Sequence, residues 1–338
     1  MRPTEAQRET PGGFRMNRWS MRARHALALF LLAPALAFAQ AWPAKPVRLV
    51  VPFPAGGGTD AFARPLAAQL SQQLGQQFII DNRGGAGGTI GADNVAKSQG
   101  DGYTFLVGAV HHAIAVSVYS KLPYDLERDL VPVTLVSIVP NVVVVNPKVP
   151  ALTLRQLIDF AKANPGRLNY ASAGNGTSHH LAGELFKKLT GTEINHVPYK
   201  GAGPAMQDLV GGQVDMMFDG MGSSAPQIRG NRIRPLAVAT AVRSPAFPAV
   251  PTAAEAGVDG YEVTTWYALW APAGTPPEIV NRLQQEVAKA MSAPAIRDTW
   301  AAQGAELGGN TPAAFGAFVK REIAKWAEVA KASGARID

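Results

Sequence analysis

The chain has 338 residues, 47% of them hydrophobic and 17% charged, with 34 Gly, 26 Pro and no Cys. This length and apolar content exclude a disordered chain, and the lack of Cys excludes a disulfide scaffold, Cys-ligated zinc, an iron–sulfur cluster and a thiol nucleophile. The net charge of +7 is concentrated at one end: residues 1–39 hold six Arg and two Glu, and the remainder carries 26 basic against 23 acidic residues with no run of like charge. Nothing in that pattern is a footprint for a phosphate backbone, so no nucleic-acid partner is expected.

Arg18, Arg22 and Arg24 precede the apolar run Ala26 to Phe38, which ends in Ala37-Phe38-Ala39 before Gln40. A basic region, a short apolar core and small residues at the −3 and −1 positions predict a signal peptide over residues 1–39, cleaved after Ala39. The run contains Pro34 and is short for a bilayer span of about 20 residues. Residues 1–15 are long for such a leader, which points to Met16 or Met21 as an alternative start.

Beyond the leader, short apolar runs alternate with helical patterns. Val47–Val51 reads as a buried strand and runs into Pro52-Phe53-Pro54-Ala55-Gly56-Gly57-Gly58-Thr59-Asp60. Phe62, Leu66, Leu70 and Leu74 then recur every four residues, the signature of one helix face. Pro65 inside that helix removes a backbone donor and predicts a kink. Phe78–Asp81 is a second strand, followed by a Gly-rich stretch to Gly91 and a helix to Lys97. Thr104–Val107 is a third strand.

The next block opens on the apolar run Val131–Val145. Thr153 and Gln156 form a capping box for a helix with Leu154, Leu157, Ile158 and Ala161 on its buried face. Leu168–Ala171 is a strand leading into Ser172-Ala173-Gly174-Asn175-Gly176-Thr177-Ser178. A helix from His179 ends before Gly191, a natural left-handed terminator. Another opens at Gly203-Pro204 with Pro at its first position and closes at Gly211-Gly212. Val214–Phe218 and Leu236–Ala239 are further buried strands. In the last part, Val263–Trp270 reads as a strand. Thr275-Pro276-Pro277-Glu278 reads as a capping box, and Thr311-Pro312 starts a final helix with Phe315, Val319 and Trp326 on or near one face. Strands alternating with helices predict an α/β fold with largely parallel sheets.

The usual catalytic signatures are missing. There is no G-x-S-x-G elbow, no Gly-Lys dipeptide for a P-loop and no G-x-G-x-x-G, so neither a hydrolase nucleophile nor a nucleotide cofactor is expected. His111-His112 and His179-His180 are adjacent pairs whose side chains diverge, so no metal site is expected. Asp215 and Asp219 on one strand stand about 13 Å apart, one predicted at the surface and the other in a loop. What recurs instead is a glycine-rich, hydroxyl-bearing loop after a strand and before a helix: Ala55–Asp60, Arg83–Gly91, Ser172–Ser178 and Lys200–Gly203. Ligands of open α/β sheets bind at the carboxyl ends of strands, glycine permits close backbone approach, and free N–H groups at helix starts attract anions. With Arg83 and Lys200 as the only cations in these loops, a small carboxylate fits better than a polyphosphate.

These motifs resemble the Bug family, the periplasmic substrate-binding receptors of tripartite tricarboxylate transporters. The resemblance rests on Val51 to Asp60, on Asn82-Arg83 with Gly85-Ala86-Gly87-Gly88, on Asp101-Gly102-Tyr103-Thr104, and on Leu122-Pro123-Tyr124-Asp125. His196-Val197-Pro198-Tyr199-Lys200-Gly201, Gly211 to Asp215 and Ala271 to Pro276 also carry it, and it runs from about Trp42 to the C-terminus. It departs from the family pattern at Asp81, Gly84, Ala115-Val116 and His111-His112, the last standing where the family often has small or hydroxyl residues facing the cleft.

The resemblance implies a two-lobed type II periplasmic-binding-protein fold with a central ligand cleft and no cofactor. Lobe 1 would comprise residues 40–137 and 265–338 and lobe 2 residues 138–264, with crossovers near Thr134–Asn141 and Tyr261–Trp270. It implies a monomer that delivers a small carboxylate to membrane transporter subunits. Rival readings are a ligand sensor for a membrane kinase and a periplasmic hydrolase. By motif, lobe 1 offers Phe53, Gly57, Gly58, Thr59 and Asp60, and lobe 2 offers Ser172, Asn175, Thr177, Ser178, Tyr199, Gly201 and Asp219. Phe53 would cover the apolar part of the ligand, Tyr199 would cap the cleft with its hydroxyl, and Asp219 would bind a ligand ammonium or hydroxyl. Asp60 would either cap its helix or touch ligand, and His111 would read a second carboxylate.

Overall fold

The computed structural model describes residues 42–333 and 336–337. The predicted signal peptide and its cleavage site lie outside the described residues. From Lys45 onward the chain forms one compact unit.

The first block is β1 (Val47–Val51), α1 (Gly58–Leu74), β2 (Phe78–Asn82), α2 (Thr89–Ala96), β3 (Thr104–Ala109) and α3 (His111–Val118). β1 pairs in parallel with β2 and β3. Phe62, Leu66 and Leu70 are fully buried on the inner face of α1, each contributing roughly 1.5–3 kcal/mol of hydrophobic stabilisation. The helix runs through Pro65 and ends at Gly75, which adopts the left-handed conformation. α3 was not expected from the sequence, because its eight residues HHAIAVSV carry almost no polar side to mark a face.

The second block is β4 (Leu130–Val145), α4 (Leu154–Ala163), β5 (Asn169–Ser172), α5 (Ser178–Thr190), β6 (Asn195–Pro198), α6 (Ala202–Gly211), β7 (Met216–Gly220), α7 (Met221–Arg229) and β8 (Arg234–Val238). The expected cap of α4 forms, with Gln156 N–H donating to Thr153 Oγ1 at 3.2 Å. Gly191 and Gly212 end α5 and α6 in left-handed conformations, as their sequence positions implied. Pro204 is the third residue of α6 rather than its first, because Gly201 rather than Gly203 caps the helix.

The third block is β9 (Thr264–Pro272), α8 (Pro277–Met291), α9 (Pro294–Ala301), β10 (Glu306–Leu307) and α10 (Pro312–Ser333). The capping box expected at Thr275 is absent. Pro276 occupies the cap position of α8, and the Thr275 hydroxyl donates backward to the Pro272 carbonyl at 2.8 Å.

The strands follow the order β2-β1-β3-β9-β4-β7-β5-β6, with β10 and β8 also pairing β4. The outer pairs are parallel, as expected for strands joined by helical crossovers. β4 and β9 are the exception. They run antiparallel to each other and to the strands flanking them. β4 belongs to both halves of the sheet: Leu130–Pro140 pairs with β9 and Asn141–Val145 with β7 and β8. Alternation along β9 places Trp266 against Phe315 and Phe318 of α10 and leaves Thr265 and Tyr267 for the opposite face. Trp266 and Trp326 both donate ring N–H to Glu322 Oε2, at 2.7 and 3.1 Å, fastening the last helix to that strand.

Candidate functional site

The loops at the carboxyl ends of β1 and β5 meet across a cavity of about 30 Å³, room for one or two waters. Its wall is Phe53, Gly57, Gly58, Thr59, Ala109, Val110, His111, Ala173, Thr177, Ser178, His179, Ala202, Thr265 and Tyr267. No Lys or Arg is in that wall. Four helices start there: α1 at Gly58, α3 at His111, α5 at Ser178 and α6 at Ala202. None of the four has a side-chain cap. The first intrahelical bonds of α1 and α5 are Ala61 N–H to Gly57 O and Leu181 N–H to Thr177 O. The N–H groups before them are the ones a helix start leaves without a helical partner, and the helix dipoles add positive potential at the same place.

The local sequence explains why the caps are empty. Asp60, the third residue of α1, reaches back to accept from Gly56 N–H at 3.0 Å and is braced by Arg64 Nε at 2.7 Å and Asn82 Nδ2 at 3.0 Å. Burial pushes this carboxyl up, but its donors Arg64, Gly56 and Asn82 together hold it below its ordinary value. Asp60 therefore shapes the loop and is not in the cavity wall. Thr177 would be the natural cap of α5, yet its hydroxyl donates to Gly174 O at 2.7 Å.

Where the loops meet, glycine leaves no room for anything larger. A Cβ on Gly203 would lie 3.2 Å from Gly57 N and 3.3 Å from Gly56 C, and closer still to Ala55 O. A Cβ on Gly58 would run into the Tyr267 hydroxyl. Phe53 closes one side with its ring edge-on to His111, centroids 4.6 Å apart.

The polar side of the wall is histidine-rich. Against the divergence expected of adjacent side chains, His111 Nε2 is 3.0 Å from His112 Nε2, and His112 Nδ1 is 3.2 Å from Tyr124 Oη. Burial, reinforced by His112 and His179 nearby, holds His111 well below its ordinary pKa. Burial takes His112 down to about 3. His179 is also lowered by burial, with Asp219 opposing the shift. Burial, with Asp219 adding to it, pushes the Tyr267 hydroxyl up.

Seven of the thirteen residues expected from the sequence are in the wall: Phe53, Gly57, Gly58, Thr59, His111, Thr177 and Ser178. The others stand outside it. The Ser172 hydroxyl is 2.6 Å from His196 Nε2 and accepts from Gly174 N–H. Asn175 is exposed. Gly201 lies against Pro54 and Phe53 and caps α6. Tyr199, expected to present its hydroxyl to the cleft, donates it to Asp208 Oδ2 at 2.6 Å instead.

Asp219 was expected at a strand end, offered to a ligand ammonium or hydroxyl, and is fully buried on β7 outside the wall. Its Oδ2 accepts from Ser223 at 2.7 Å and Ser224 at 2.6 Å, and its Oδ1 lies 3.4 Å from His179 Nε2. Asp215 precedes β7 and accepts from Asn169 N–H at 2.8 Å. His179, Thr265 and Tyr267 are wall residues that the sequence reading missed. The alternation Thr265-Trp266-Tyr267 on a strand already expected was the available signal. Among the described residues no three His, Asp or Glu side chains are grouped to hold a metal.

A mixed α/β sheet with a cavity between two sets of strand-end loops is the architecture of a solute-binding protein. The comparisons then give the family. Residues 62–335 match the model of the tripartite tricarboxylate transporter family receptor, and the chain belongs to that family. Protein BugT of Bordetella pertussis (strain Tohama I) is 42% identical over 301 residues, covering 88% of this chain and 92% of BugT. Two solved structures also resemble it. "R. palustris Rpa4515 with adipate" has a TM-score of 0.85 and 44% identity, covering 88% of this chain and 100% of that one. "MatC (Rpa3494) from Rhodopseudomonas palustris with bound malate" has a TM-score of 0.81 and 35% identity, covering 85% of this chain and 99% of that one.

Proposed function

We propose that this receptor captures a small organic carboxylate in the cavity between its strand-end loops and presents it to membrane subunits of a tripartite tricarboxylate transporter. The observation that carries the reading is the convergence of four uncapped helix starts on a cavity wall without a Lys or Arg. Such a wall binds an anion through backbone N–H groups and dipole ends. The two similar structures named with adipate and malate support the same class, since both of those ligands are dicarboxylates.

Residues 40–137 with 265–338 act as one lobe and 138–264 as the other, hinged where β4 changes partners and where the chain returns to β9. The lobes part to admit the ligand and close over it, a population shift driven by contacts made to both sides. Cleavage after Ala39 releases a periplasmic monomer beginning at Gln40.

A thermal-shift screen of residues 40–338 against mono-, di- and tricarboxylates tests this. A ligand at 1,000 times its Kd stabilises by about 4 kcal/mol, a rise of several degrees for a protein of this size. A panel that leaves the melting temperature unchanged, with mass spectrometry showing no copurified acid, refutes the carboxylate reading.

A further inference from the structure

The cavity assigned above to a carboxylate has backbone dipoles for one negative charge but no cationic side chain for a second. Moving an unneutralised charge out of water costs far more than any single hydrogen bond returns. The titratable groups around the wall are His111 at the start of α3, His112 beside it, His179 on α5, Asp219 on β7, Tyr267 on β9 and Tyr124 beyond His112. The loops carrying Phe53 and Gly88 face His111 with only an apolar ring and backbone. Asp219 adds to the negative side of this balance, so a dianion finds no partner among the fixed charges.

His111 is the group built to change that. Its ring is in the wall and its Nε2 is joined to His112, which leaves Nδ1 as the ring nitrogen not engaged in that bond. The chain Tyr124–His112–His111 can be occupied in two directions. With Tyr124 donating to His112 and His112 to His111, His111 keeps its one proton on Nδ1. With the chain reversed, His111 Nε2–H donates to His112 Nε2, His112 Nδ1–H donates to the Tyr124 oxygen, and His111 Nδ1 is bare. A proton added to that Nδ1 makes an imidazolium whose second N–H is already satisfied by His112. The relay therefore accommodates an extra proton without stranding a buried donor.

We propose that, when the ligand is a dicarboxylate, His111 receives its second carboxylate and the protein takes up one proton from solvent onto His111 as the ligand binds. The proposal rests on the carboxylate reading above. The free-state depression of His111 is in keeping with it: the ring is neutral while the cavity holds no anion, and a carboxylate opposite it favours the charged form. A monocarboxylate, already balanced by the helix starts, recruits no proton.

The test is isothermal titration of the wild-type protein with adipate and with hexanoate, each in phosphate and in Tris at pH 7.5. Adipate is expected to show enthalpies that differ by the difference between the ionisation heats of the two buffers for one proton, and an affinity that falls about tenfold per pH unit from 6.5 to 8.5. Hexanoate is expected to show neither. His111→Asn is expected to abolish the adipate buffer dependence and the preference for adipate over hexanoate. Adipate binding with no buffer dependence overturns the proposal, as does proton uptake that survives His111→Asn. Should that variant not fold, the wild-type buffer and pH dependence decides alone. Failure of every carboxylate to bind refutes the carboxylate reading, and this inference with it.

Discussion

Replacing Gly203 with Ala isolates the closed contact between the two sets of loops. The new Cβ would meet three atoms of the opposite loop, Ala55 O, Gly57 N and Gly56 C, the last two at 3.2 and 3.3 Å. All three are backbone atoms, so no rotamer change relieves them and the contact has to widen. Overpacking of this kind costs about 1–3 kcal/mol. In a hinged receptor the cost falls on the closed state alone, while the roughly 0.5–1 kcal/mol gained from Ala over Gly in a helix is common to both states. Ligand affinity is thus expected to fall about 5- to 150-fold, with the melting temperature of the ligand-free protein unchanged or slightly raised. Isothermal titration reads the affinity, and small-angle scattering reads whether ligand still compacts the variant. Gly211→Ala, with nothing within 4 Å of its Cβ, is the control and leaves affinity unchanged. An unchanged affinity in Gly203→Ala would refute closure at this contact.

Other substitutions probe the wall and its surroundings. Gly58→Val is expected to abolish binding without unfolding the protein, because its side chain occupies the space before the Tyr267 hydroxyl; wild-type affinity in that variant removes the first loop from the site. Tyr199→Phe is expected to leave affinity within about threefold, since the hydroxyl is committed to Asp208, and a loss beyond tenfold would place it on the ligand after all. Stability is expected to drop in mild acid. His112 stays neutral in the folded state down to about pH 3, whereas unfolded His takes a proton near pH 6.5. The unfolded state therefore gains protons first, and stability is lost as pH falls from 6.5. For His112 alone this amounts to about 2 kcal/mol by pH 5, and His196, held to about 4 chiefly by burial, acts in the same direction. A melting temperature that is flat between pH 7.5 and 5 would contradict this.

Much of the scaffold is legible because local signals agree with the global fold. The four-residue spacing from Phe62 to Leu70 marks α1, Thr153 caps α4, and Gly191 stops α5 where a left-handed residue is needed. The glycine loops marked the ends of strands, and five of the seven expected residues that line the cavity, Gly57, Gly58, Thr59, Thr177 and Ser178, come from them. The errors have physical causes too. An Asp at a strand end reads as solvated, yet Asp219 is buried because Ser223 and Ser224 on the next turn of chain supply two donors. Tyr199 reads as a cleft residue until Asp208, nine positions on, is brought under its hydroxyl by α6. α7 is hard to see because Pro226 interrupts its pattern, and β10, two residues long, has no periodicity to detect. The contribution of β9 to the wall depends on which of its faces the sheet turns toward the loops, a tertiary fact that Thr265 and Tyr267 do not announce.

Under the proposed function, backbone N–H groups at converging helix starts hold the carboxylate, not a cationic side chain. A crystal structure of residues 40–338 with adipate tests it most directly. The account predicts one carboxylate within hydrogen-bond distance of the N–H groups at the starts of α1 and α5, around Gly58, Thr59, Ser178 and His179, with Phe53 against the methylene chain. A carboxylate paired instead with a Lys or Arg, or an adipate bound outside this cavity, would contradict it.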